Sequence, residues 1–385
     1  MTSRMTTHSY VETLGALEDA VRRLSGQPLL GVDTEAAGYH RYRDSISLVQ
    51  ISSRDETVLI DPLALPGLEL LDGLFSNDRI EKVFHDADFD LRILDRDLGL
   101  RVANLFDTQI AAALLGVRAL GLGAVIETYL GVTLPKAFQR ADWAERPLSE
   151  GMKEYAATDT AYLPALRDVL REALVAAGRL AWAEEEFARR AETRWVAPDS
   201  ADVADAFLRI KGARDLPRRA LAILREVHAW REQVAEERDQ APFRILSNEA
   251  LLQMGREAPT TSAALRKVRG VSSGLADRRG RDVLAAIERG LAVPDDDLPK
   301  FPQPKRWDRD AEVEARTERL RDARTRVAEA LKLDPGFLVS RAVLEEIARR
   351  NPGSADELAE IPGVRRWQLE VLTDEALGAL AAPAR

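Results

Sequence analysis

An apolar run that ends in two acidic residues, LLGVDTEAAG at residues 29–38, constrains the fold of this chain more than any other segment. Its composition predicts a buried β-strand, and a second strand-like run, SISLVQIS, follows at residues 45–52. Residues two apart on a strand share a face, so Asp33 and Glu35 point to the same side. Two carboxylates at a core edge repel each other, and burial raises the pKa of at least one. The pair is either solvated at a strand end or bound to a cation.

A second acidic stretch, KVFHDADFDLRIL at residues 82–94, predicts a short strand followed by a helix. Its aspartates compete for a functional role: Asp86, Asp88 and Asp90. We favour Asp90, because Leu91 and Leu94 define a buried helical stripe next to it. His85 is interpreted as a packed histidine rather than a ligand.

The stretch EYAATDTAYL at residues 154–163 predicts a helix that begins after Ser149 as its N-cap. Tyr155 and Asp159 are four residues apart on this helix and therefore share a face. Such a pair alone is weak evidence of function. Together, however, the acids of the separated stretches supply the oxygen ligands that a pair of divalent ions needs for phosphodiester cleavage.

The order and spacing of these motifs resemble the DEDD-type 3′–5′ exonucleases of the subgroup with a tyrosine, and in particular bacterial ribonuclease D. The resemblance covers nearly the whole chain. It includes the connecting stretches FDTQIAAALLG, LGAVIETYLGVTLPK and ADWAERPLS. One departure concerns the residue after the DTE glutamate, where the family commonly has a bulky apolar side chain that can touch the terminal base. Ala36 and Ala37 follow Glu35 here.

The resemblance implies hydrolysis of RNA 3′ ends to nucleoside 5′-monophosphates with two divalent metal ions, Mg²⁺ or Mn²⁺. It implies that Asp33 bridges the ions, that Glu35 and Asp159 complete one of them, and that Asp90 holds the other, partly through water. Tyr155 is expected to orient the attacking water, because a phenol with a pKa near ~10 is a poor base at neutral pH. The implied substrates are tRNA precursors and other small structured RNAs.

Two alternatives stay open. The same chemistry acts on DNA in related proofreading and repair exonucleases, and the motifs do not reveal a contact to the 2′-hydroxyl. A catalytically silent RNA-binding adaptor is the other alternative, although all four acids and the tyrosine are present.

Composition favours an intracellular enzyme. The chain has 385 residues, which suggests two or three domains, and it has no cysteine. It contains no apolar run long enough to span a membrane, and its N-terminus lacks the features of a signal peptide. We therefore expect a cytoplasmic monomer with no membrane partner.

The C-terminal half contains an internal repeat with an offset of 93 residues. Leu246-Ser247 falls on Val339-Ser340, and Gly270-Val271 falls on Gly363-Val364. Both copies have apolar residues at helical spacing. Between them, the Pro- and Asp-rich stretch VPDDDLPKFPQPKRWDRD predicts a linker or a surface strap.

The two copies resemble the helicase-and-RNase-D C-terminal (HRDC) domain, which implies binding to nucleic acid. Residues 205–290 carry 17 basic and 12 acidic side chains, whereas residues 1–204 carry 22 and 33. Phosphate attraction is therefore expected in the first copy. Its predicted RNA contacts are Arg218, Arg219, Arg266, Lys267 and Arg269. The second copy is expected to pack or to shape a ring rather than to grip RNA.

The predicted fold is an α/β ribonuclease H-like exonuclease domain followed by two all-α, HRDC-type helical domains. Strands are expected near residues 28–34, 45–51, 57–60 and 82–85. The predicted boundaries are 1–204 for the exonuclease domain, 205–293 for the first HRDC domain, 294–314 for the linker and 315–385 for the second HRDC-like domain.

Overall fold

A six-stranded mixed sheet lies at the centre of the N-terminal part of the chain. The structure, a computed structural model, describes residues 8–302 and 310–382. The strands are β1 (His8–Val11), β2 (Leu29–Ala36), β3 (Ile46–Ser52), β4 (Thr57–Ile60), β5 (Glu81–Phe84) and β6 (Leu105–Asp107). Their spatial order is β1-β4-β3-β2-β5-β6. β3 runs antiparallel to both of its neighbours, and the other pairs are parallel.

The four strands predicted from the sequence are present with ends shifted by no more than two residues. β1 and β6 were not predicted. They form the two edges of the sheet and contain only four and three residues. Alternation of apolar and polar residues cannot be read from such short runs.

Helices cover both faces of the sheet. The helices of this part are α1 (Leu14–Leu24), α2 (Asp72–Phe75), α3 (Asp88–Leu98), α4 (Thr108–Leu114), α5 (Leu122–Leu130), α6 (Glu150–Ala161), α7 (Leu163–Ala176), α8 (Leu180–Ala191) and α9 (Ser200–Ala204). On β2, Leu30 and Val32 belong to the core formed with α1 and α3, whereas Leu29 belongs to the core formed with α7. Alternation along the strand therefore places Asp33 and Glu35 on the side of α6 and α7.

The C-terminal half contains two copies of one helical arrangement. The first copy consists of α10 (Arg218–Glu237), α11 (Pro242–Ile245), α12 (Asn248–Glu257), α13 (Ser262–Leu265) and α14 (Ser273–Ala292). The second copy consists of α15 (Ala311–Leu331), α16 (Pro335–Leu338), α17 (Arg341–Arg350), α18 (Ala355–Ala359) and α19 (Arg366–Ala381). Every helix of the second copy begins 93 residues after its counterpart, so the predicted offset is confirmed.

Local stereochemistry repeats with the same offset. Ser247 and Ser340 each cap the helix that follows through the side-chain oxygen. Gly270 and Gly363 have φ angles of 93° and 94°, a left-handed conformation that favours glycine. The Gly-Val turn identified in the sequence is thus the same turn in both copies.

The second copy shares its hydrophobic core with α7 and α8. Leu166 and Phe187 of these helices belong to the same buried cluster as Leu344 and Trp367. Trp367 stacks on Trp182 of α8 with ring centroids 5.1 Å apart. Its indole N–H donates a 2.9 Å hydrogen bond to the Glu186 carboxylate. These contacts agree with the expected packing role of this copy.

The first copy has a hydrophobic core of its own and meets the sheet domain through the loop after β2. The Ala241 N–H donates to the His40 carbonyl at 3.0 Å, and the Tyr42 N–H donates to the Asp239 carboxylate at 3.2 Å. The Tyr39 and Phe243 rings lie 5.2 Å apart at this joint.

The linker prediction covers residues 294–314, and α15 begins within that range. Residues 303–309, which include Trp307, lie outside the described residues. The domain boundaries stay predictions. Throughout residues 8–302 and 310–382, no helix has both the length and the hydropathy that crossing a bilayer requires.

Candidate active site

Close packing between β2 and the α6–α7 junction begins at Gly31. A Cβ atom there would lie 2.8 Å from the Leu163 Cβ and 2.9 Å from the Thr160 carbonyl oxygen. Only glycine allows the helices to approach the strand so closely. The Thr160 hydroxyl also hydrogen-bonds the Ser52 hydroxyl at 2.7 Å, which fixes the end of α6 to β3. Asp159, one residue before Thr160, is therefore held against β2.

The start of α6 is fixed in the way the sequence predicted. The Ser149 side chain accepts a 3.3 Å hydrogen bond from the Met152 N–H, so Ser149 is confirmed as the N-cap. Counting from that cap, Tyr155 and Asp159 lie on the second and third turns of the helix and share a face.

Asp33, Glu35 and Asp159 form a tight carboxylate cluster. One carboxylate oxygen from each residue lies within 4.8 Å of those from the other two. Asp33 and Glu35 come from alternate positions of β2, and Asp159 comes from the last turn of α6. Two distant motifs of the sequence thus meet at one point of the sheet.

Asp90 approaches this cluster from the other face of β2. It lies in the first turn of α3, is 6% exposed, and accepts a hydrogen bond from the Thr34 hydroxyl. Thr34 lies between Asp33 and Glu35 and points to the opposite side of the strand. Asp90 is outside the tight cluster of three, but its charge raises the pKa of Glu35.

Burial and mutual repulsion shift the pKa values of these carboxyls upward. Burial, followed by the charge of Asp159, raises the pKa of Asp33 to about 8. Burial, followed by the charges of Asp33, Asp159 and Asp90, raises the pKa of Glu35 to about 10. Burial raises the pKa of Asp159 to about 7, an effect that Tyr155 partly offsets. Burial and then Asp33 raise the pKa of Asp90 well above its ordinary value.

Tyr155 lies beside the cluster in an aromatic setting. It is 7% exposed, and its ring is 6.0 Å from that of Phe138 and 6.2 Å from that of Trp143. Burial, followed by the charges of Asp159 and Glu35, raises the pKa of its phenol above the ordinary value. The phenol therefore keeps its proton at neutral pH.

The loop that carries Phe138 and Trp143 is anchored to the sheet through Arg146. The Arg146 guanidinium forms an ion pair with Asp61 at 2.6 Å and donates to the Ser47 carbonyl at 2.6 Å. It also donates to the carbonyl of Trp143 at 2.7 Å. This loop thereby closes one side of the site.

A cavity of about 400 Å³ opens onto the carboxylates. Its lining includes Asp33, Tyr155 and Asp159 from the predicted site. It also includes residues that the sequence interpretation left out: His85, Gly121, Leu122, Gly123, Ala124, Lys136 and Gln139. The sequence favours a packed histidine at residue 85, whereas in the structure His85 lines the wall of this cavity. The GLG stretch at residues 121–123 forms the start of α5, with Gly121 as the N-cap.

Three buried polar groups near the site have no hydrogen-bond partner among the described residues. One is the Nε2 atom of His85, whose Nδ1 lies 2.9 Å from the Thr108 hydroxyl. The second is the side-chain amide of Gln50, which is directly opposite Asp33 in the β2–β3 register. The third is the indole Nε1 of Trp143, beside Tyr155. These groups come near the site through the pairing of strands and the packing of helices and loops, which the spacing of residues in the sequence does not show.

The donor set fits hard divalent cations. All donors in the tight cluster are carboxylate oxygens, the ligands that Mg²⁺ and Mn²⁺ prefer. Without a positive charge, three carboxylates this close cannot all ionise at neutral pH without strong repulsion. Burial and then that repulsion raise the pKa values of Asp33 and Glu35, and a bound cation would offset both effects.

The repulsion predicts how stability depends on pH when a chelator removes metal ions. The folded-state pKa of Asp33 is about 8, against an ordinary 3.8. The folded protein therefore binds more protons than the unfolded chain between these values and loses stability as the pH rises through that window. We expect chelated Asp33→Asn to melt at least about 2 °C above the wild type at pH 8, with the difference vanishing toward pH 4.

Thermal melts between pH 4 and 9 test this expectation, with Asp55→Asn as a control on an exposed carboxylate. Addition of Mg²⁺ at pH 8 is expected to stabilise the wild type more than Asp33→Asn. A chelated Asp33→Asn protein that melts below the wild type at pH 8 would contradict the repulsion.

The predicted RNA contacts of the first copy differ in their surroundings. The Arg218 guanidinium donates to the Leu298 carbonyl at 2.7 Å, and Arg219 pairs with Asp295. Arg219 also donates to the Leu291 carbonyl at 3.0 Å. Both side chains thus hold the segment that follows α14. Their contact with RNA stays a prediction.

The turn between α13 and α14 offers freer cations. Arg266 pairs with Asp277, whereas the Lys267 and Arg269 side chains are exposed and have no ion-pair partner within residues 8–302 and 310–382. The Arg269 N–H donates to the Gln253 side chain at 3.0 Å, which fixes the backbone of the turn. Of the five predicted residues, these two have the charge most available to a ligand.

Known proteins resemble this chain along almost its whole length. A model of the 3′–5′ exonuclease domain matches residues 9–175, and a model of the HRDC domain matches residues 220–287 and 313–380. The chain is 32% identical to the ribonuclease D of Gluconacetobacter diazotrophicus, over 95% of this chain and 91% of that protein. It is also 32% identical to the ribonuclease D of Acidiphilium cryptum, over 97% of this chain and 94% of that protein.

A solved structure agrees with these sequence matches. The crystal structure of Escherichia coli RNase D, described as an exoribonuclease involved in structured RNA processing, superimposes with a TM-score of 0.68 at 29% identity. The alignment covers 97% of this chain and 99% of that one.

Proposed function

The chain belongs to the ribonuclease D family of 3′–5′ exoribonucleases, and from that premise we propose that it trims the 3′ ends of tRNA precursors and other small structured RNAs by two-metal-ion hydrolysis. The observation that supports this most directly is the cluster of Asp33, Glu35 and Asp159, whose carboxylate oxygens lie within 4.8 Å of one another. The protein acts as a monomer in this proposal.

Four carboxylates would hold the divalent ions. Asp33 would be the carboxylate that both ions share, a role supported by its position in the tight cluster and by the effect of its charge on the pKa of Asp90. Glu35 and Asp159 would hold one ion, and Asp90 would hold the other from across β2. Bound divalent ions supply positive charge at both the attacking and the leaving oxygen of an in-line displacement.

The protein side chains position the reactants around that charge. Tyr155 keeps its proton and lies one helical turn from Asp159, so its hydroxyl can hydrogen-bond the attacking water and fix its direction. The aromatic wall of Phe138 and Trp143 limits the positions that the phenol can take. The product carries the phosphate on its 5′-oxygen, because the leaving oxygen is the 3′-oxygen of the shortened RNA.

The cavity accepts a strand end rather than a duplex. Its volume of about 400 Å³ is at the lower end of the range for small-molecule sites, which suits one terminal nucleotide. Lys136, exposed at its rim, supplies a cation for the phosphate backbone. A paired 3′ end would have to open before its last nucleotide entered.

Replacement of Asp33 by Asn tests the catalytic assignment. The change removes the carboxylate shared by both proposed ions and with it most of the electrostatic stabilisation of the transition state. We therefore expect release of nucleoside 5′-monophosphates to fall by at least about 1000-fold. RNA binding is expected to persist, because Lys136 and the first copy are intact. Chromatography of digests and a binding titration on a 5′-labelled RNA measure the two effects.

The control for this variant is Asp55→Asn, in which an exposed carboxylate outside the cavity is changed. Wild-type digests with matched RNA and DNA oligonucleotides, in Mg²⁺, in Mn²⁺ and in chelator, complete the experiment. Undiminished nucleotide release by Asp33→Asn would show that Asp33 does not hold the catalytic ions.

Tyr155→Phe separates orientation of water from metal binding. Loss of the hydroxyl is expected to lower kcat by roughly 100-fold, the lower end of the range for a positioned proton-carrying group. The apparent Mg²⁺ affinity is expected to stay within about twofold, because the phenol is not a metal ligand. The matched control is Tyr162→Phe, which removes the hydroxyl of the tyrosine that caps the C-terminal end of the same helix. An unchanged kcat would remove Tyr155 from the mechanism.

RNA affinity tests the predicted contacts of the first copy. The double variant Lys267→Ala/Arg269→Ala removes two exposed, unpaired cations, so we expect weaker binding and a salt slope of log Kd reduced by about 1.4, at ~0.7 per phosphate contact for single strands. The control is Arg321→Ala/Arg341→Ala, which removes the same charge from the exposed surface of the second copy. Equal losses in both double variants would show that the second copy binds RNA as strongly as the first.

A further inference from the structure

Exposed aromatic and cationic side chains meet where the first copy joins the sheet domain. Tyr39 is 46% exposed and Phe243 is 49% exposed, although their rings lie only 5.2 Å apart. Two guanidinium carbons lie over the Tyr39 ring, that of Arg140 at 5.8 Å and that of Arg244 at 5.4 Å. We refer to Tyr39, Arg140, Phe243 and Arg244 as the joint cluster.

Backbone contacts hold the three segments of the joint cluster together. The Arg244 Nε donates to the Tyr39 carbonyl at 3.1 Å. The His40 ring nitrogen lies 2.8 Å from the Arg140 carbonyl, and the His40 carbonyl accepts from the Ala241 N–H. The cluster is therefore a built surface and not a chance meeting of long side chains.

The charge of the joint cluster is not neutralised within the part of the chain that the structure describes. Arg41 and Arg43 nearby are paired with Asp142, Asp239 and Glu236. Arg140 and Arg244, in contrast, have no acidic partner within residues 8–302 and 310–382. Two aromatic rings with two unpaired guanidinium groups form a surface suited to bases and phosphates of a single strand.

The joint cluster adjoins the catalytic cavity. Tyr39 follows Glu35 by four residues, which limits the distance between their Cα atoms to about 14 Å. Arg140 directly follows Gln139, and Gln139 lines the cavity. A strand whose 3′ end occupies the cavity would thus meet the cluster within a few nucleotides.

The other side of the joint cluster leads toward the predicted RNA contacts of the first copy. Arg244 precedes Ser247, the N-cap of α12, by three residues. A Cβ atom on Gly270 would lie 3.7 Å from the Ser247 Oγ, so the turn at residues 266–270 sits over that cap. Short chain segments therefore connect the cluster to the cavity on one side and to the turn that carries Lys267 and Arg269 on the other.

We propose that the joint cluster binds single-stranded RNA upstream of the 3′-terminal nucleotides, with bases stacked on Tyr39 and Phe243 and phosphates held by Arg140 and Arg244. This inference rests on the proposed exoribonuclease function and extends it to the path of the substrate. Stacking accepts every base, so the path is independent of sequence.

Substrate length provides the first test. RNAs of two to ten nucleotides with a common 3′ sequence are compared by kcat/KM. We expect the value for the wild type to rise once the RNA is long enough to reach the cluster. We define the length ratio as kcat/KM for the ten-nucleotide RNA divided by kcat/KM for the dinucleotide. In Tyr39→Ala/Phe243→Ala, this ratio is expected to fall about 10-fold or more, because each stacked base contributes ~1–3 kcal/mol of binding free energy.

Three further variants separate stacking from a structural role. Tyr39→Phe keeps the ring and is expected to keep the length ratio, and Trp195→Ala removes an equally exposed aromatic ring elsewhere. Arg140→Gln/Arg244→Gln is expected to reduce the salt slope of log Kd by about 1.4 for the long RNA. A structural role alone would lower the melting temperature without changing the salt slope.

Photocrosslinking locates the strand directly. The Asp33→Asn protein is mixed with RNAs that carry a single 4-thiouridine at successive positions from the 3′ end, and crosslinked peptides are identified by mass spectrometry. Crosslinks to the peptides that contain Tyr39 or Phe243, from positions upstream of the last two nucleotides, are the expected result. Crosslinks confined to other peptides, together with an unchanged length ratio in the alanine variant, would overturn the proposal.

Different results would contradict the exoribonuclease function and RNA binding by the joint cluster. If the wild type releases no mononucleotides from any RNA, the proposed function fails, while the crosslinks still report whether the cluster binds RNA. If the wild type degrades RNA with no dependence on length, the joint cluster has no part in substrate binding and only the present proposal fails.

Discussion

Mutual repulsion among buried carboxylates is the interaction around which the sheet domain is organised. Burial raises the pKa of Asp33, Glu35 and Asp159, and neighbouring carboxylates raise it further at Asp33 and Glu35, so this arrangement costs the metal-free protein stability. The surrounding structure enforces it through the close approach at Gly31 and the hydroxyl contact at Thr160. A bound cation would relieve this repulsion, because it offsets the negative charge that the carboxylates share.

Parts of this arrangement follow from sequence periodicity, and other parts depend on tertiary contacts. The two-residue spacing of Asp33 and Glu35 predicts that they share a face of a strand. The four-residue spacing of Tyr155 and Asp159 predicts that they share a face of a helix. In the structure, the first pair lies on β2 and the second pair lies on α6. Asp90 approaches from the opposite face and accepts a hydrogen bond from the Thr34 hydroxyl, a contact between two separate motifs that the spacing within either motif does not predict. His85 and Gln50 enter the neighbourhood of the site only through strand register and helix packing, which local spacing does not encode.

In the helical repeat, too, some features follow from the local sequence and others depend on tertiary contacts. Its offset of 93 residues could be read from the sequence, because caps and turns recur at fixed positions and their chemistry is local. The surroundings of each copy could not be predicted in this way. Arg218 and Arg219 resemble phosphate ligands by composition, yet they hold the segment after α14, because the carbonyls that they meet lie more than 70 residues further along the chain.

The core shared by α7, α8 and the second copy has an evolutionary consequence. A duplicated module that sits on the outside of a protein can be exchanged, lost or moved without harm to the rest. Here Trp367 and its stacking partner Trp182 lie on opposite sides of the duplication, so a change in one alters the selection acting on the other. The second copy is therefore part of the core of the exonuclease domain, whereas the first copy keeps a hydrophobic core of its own.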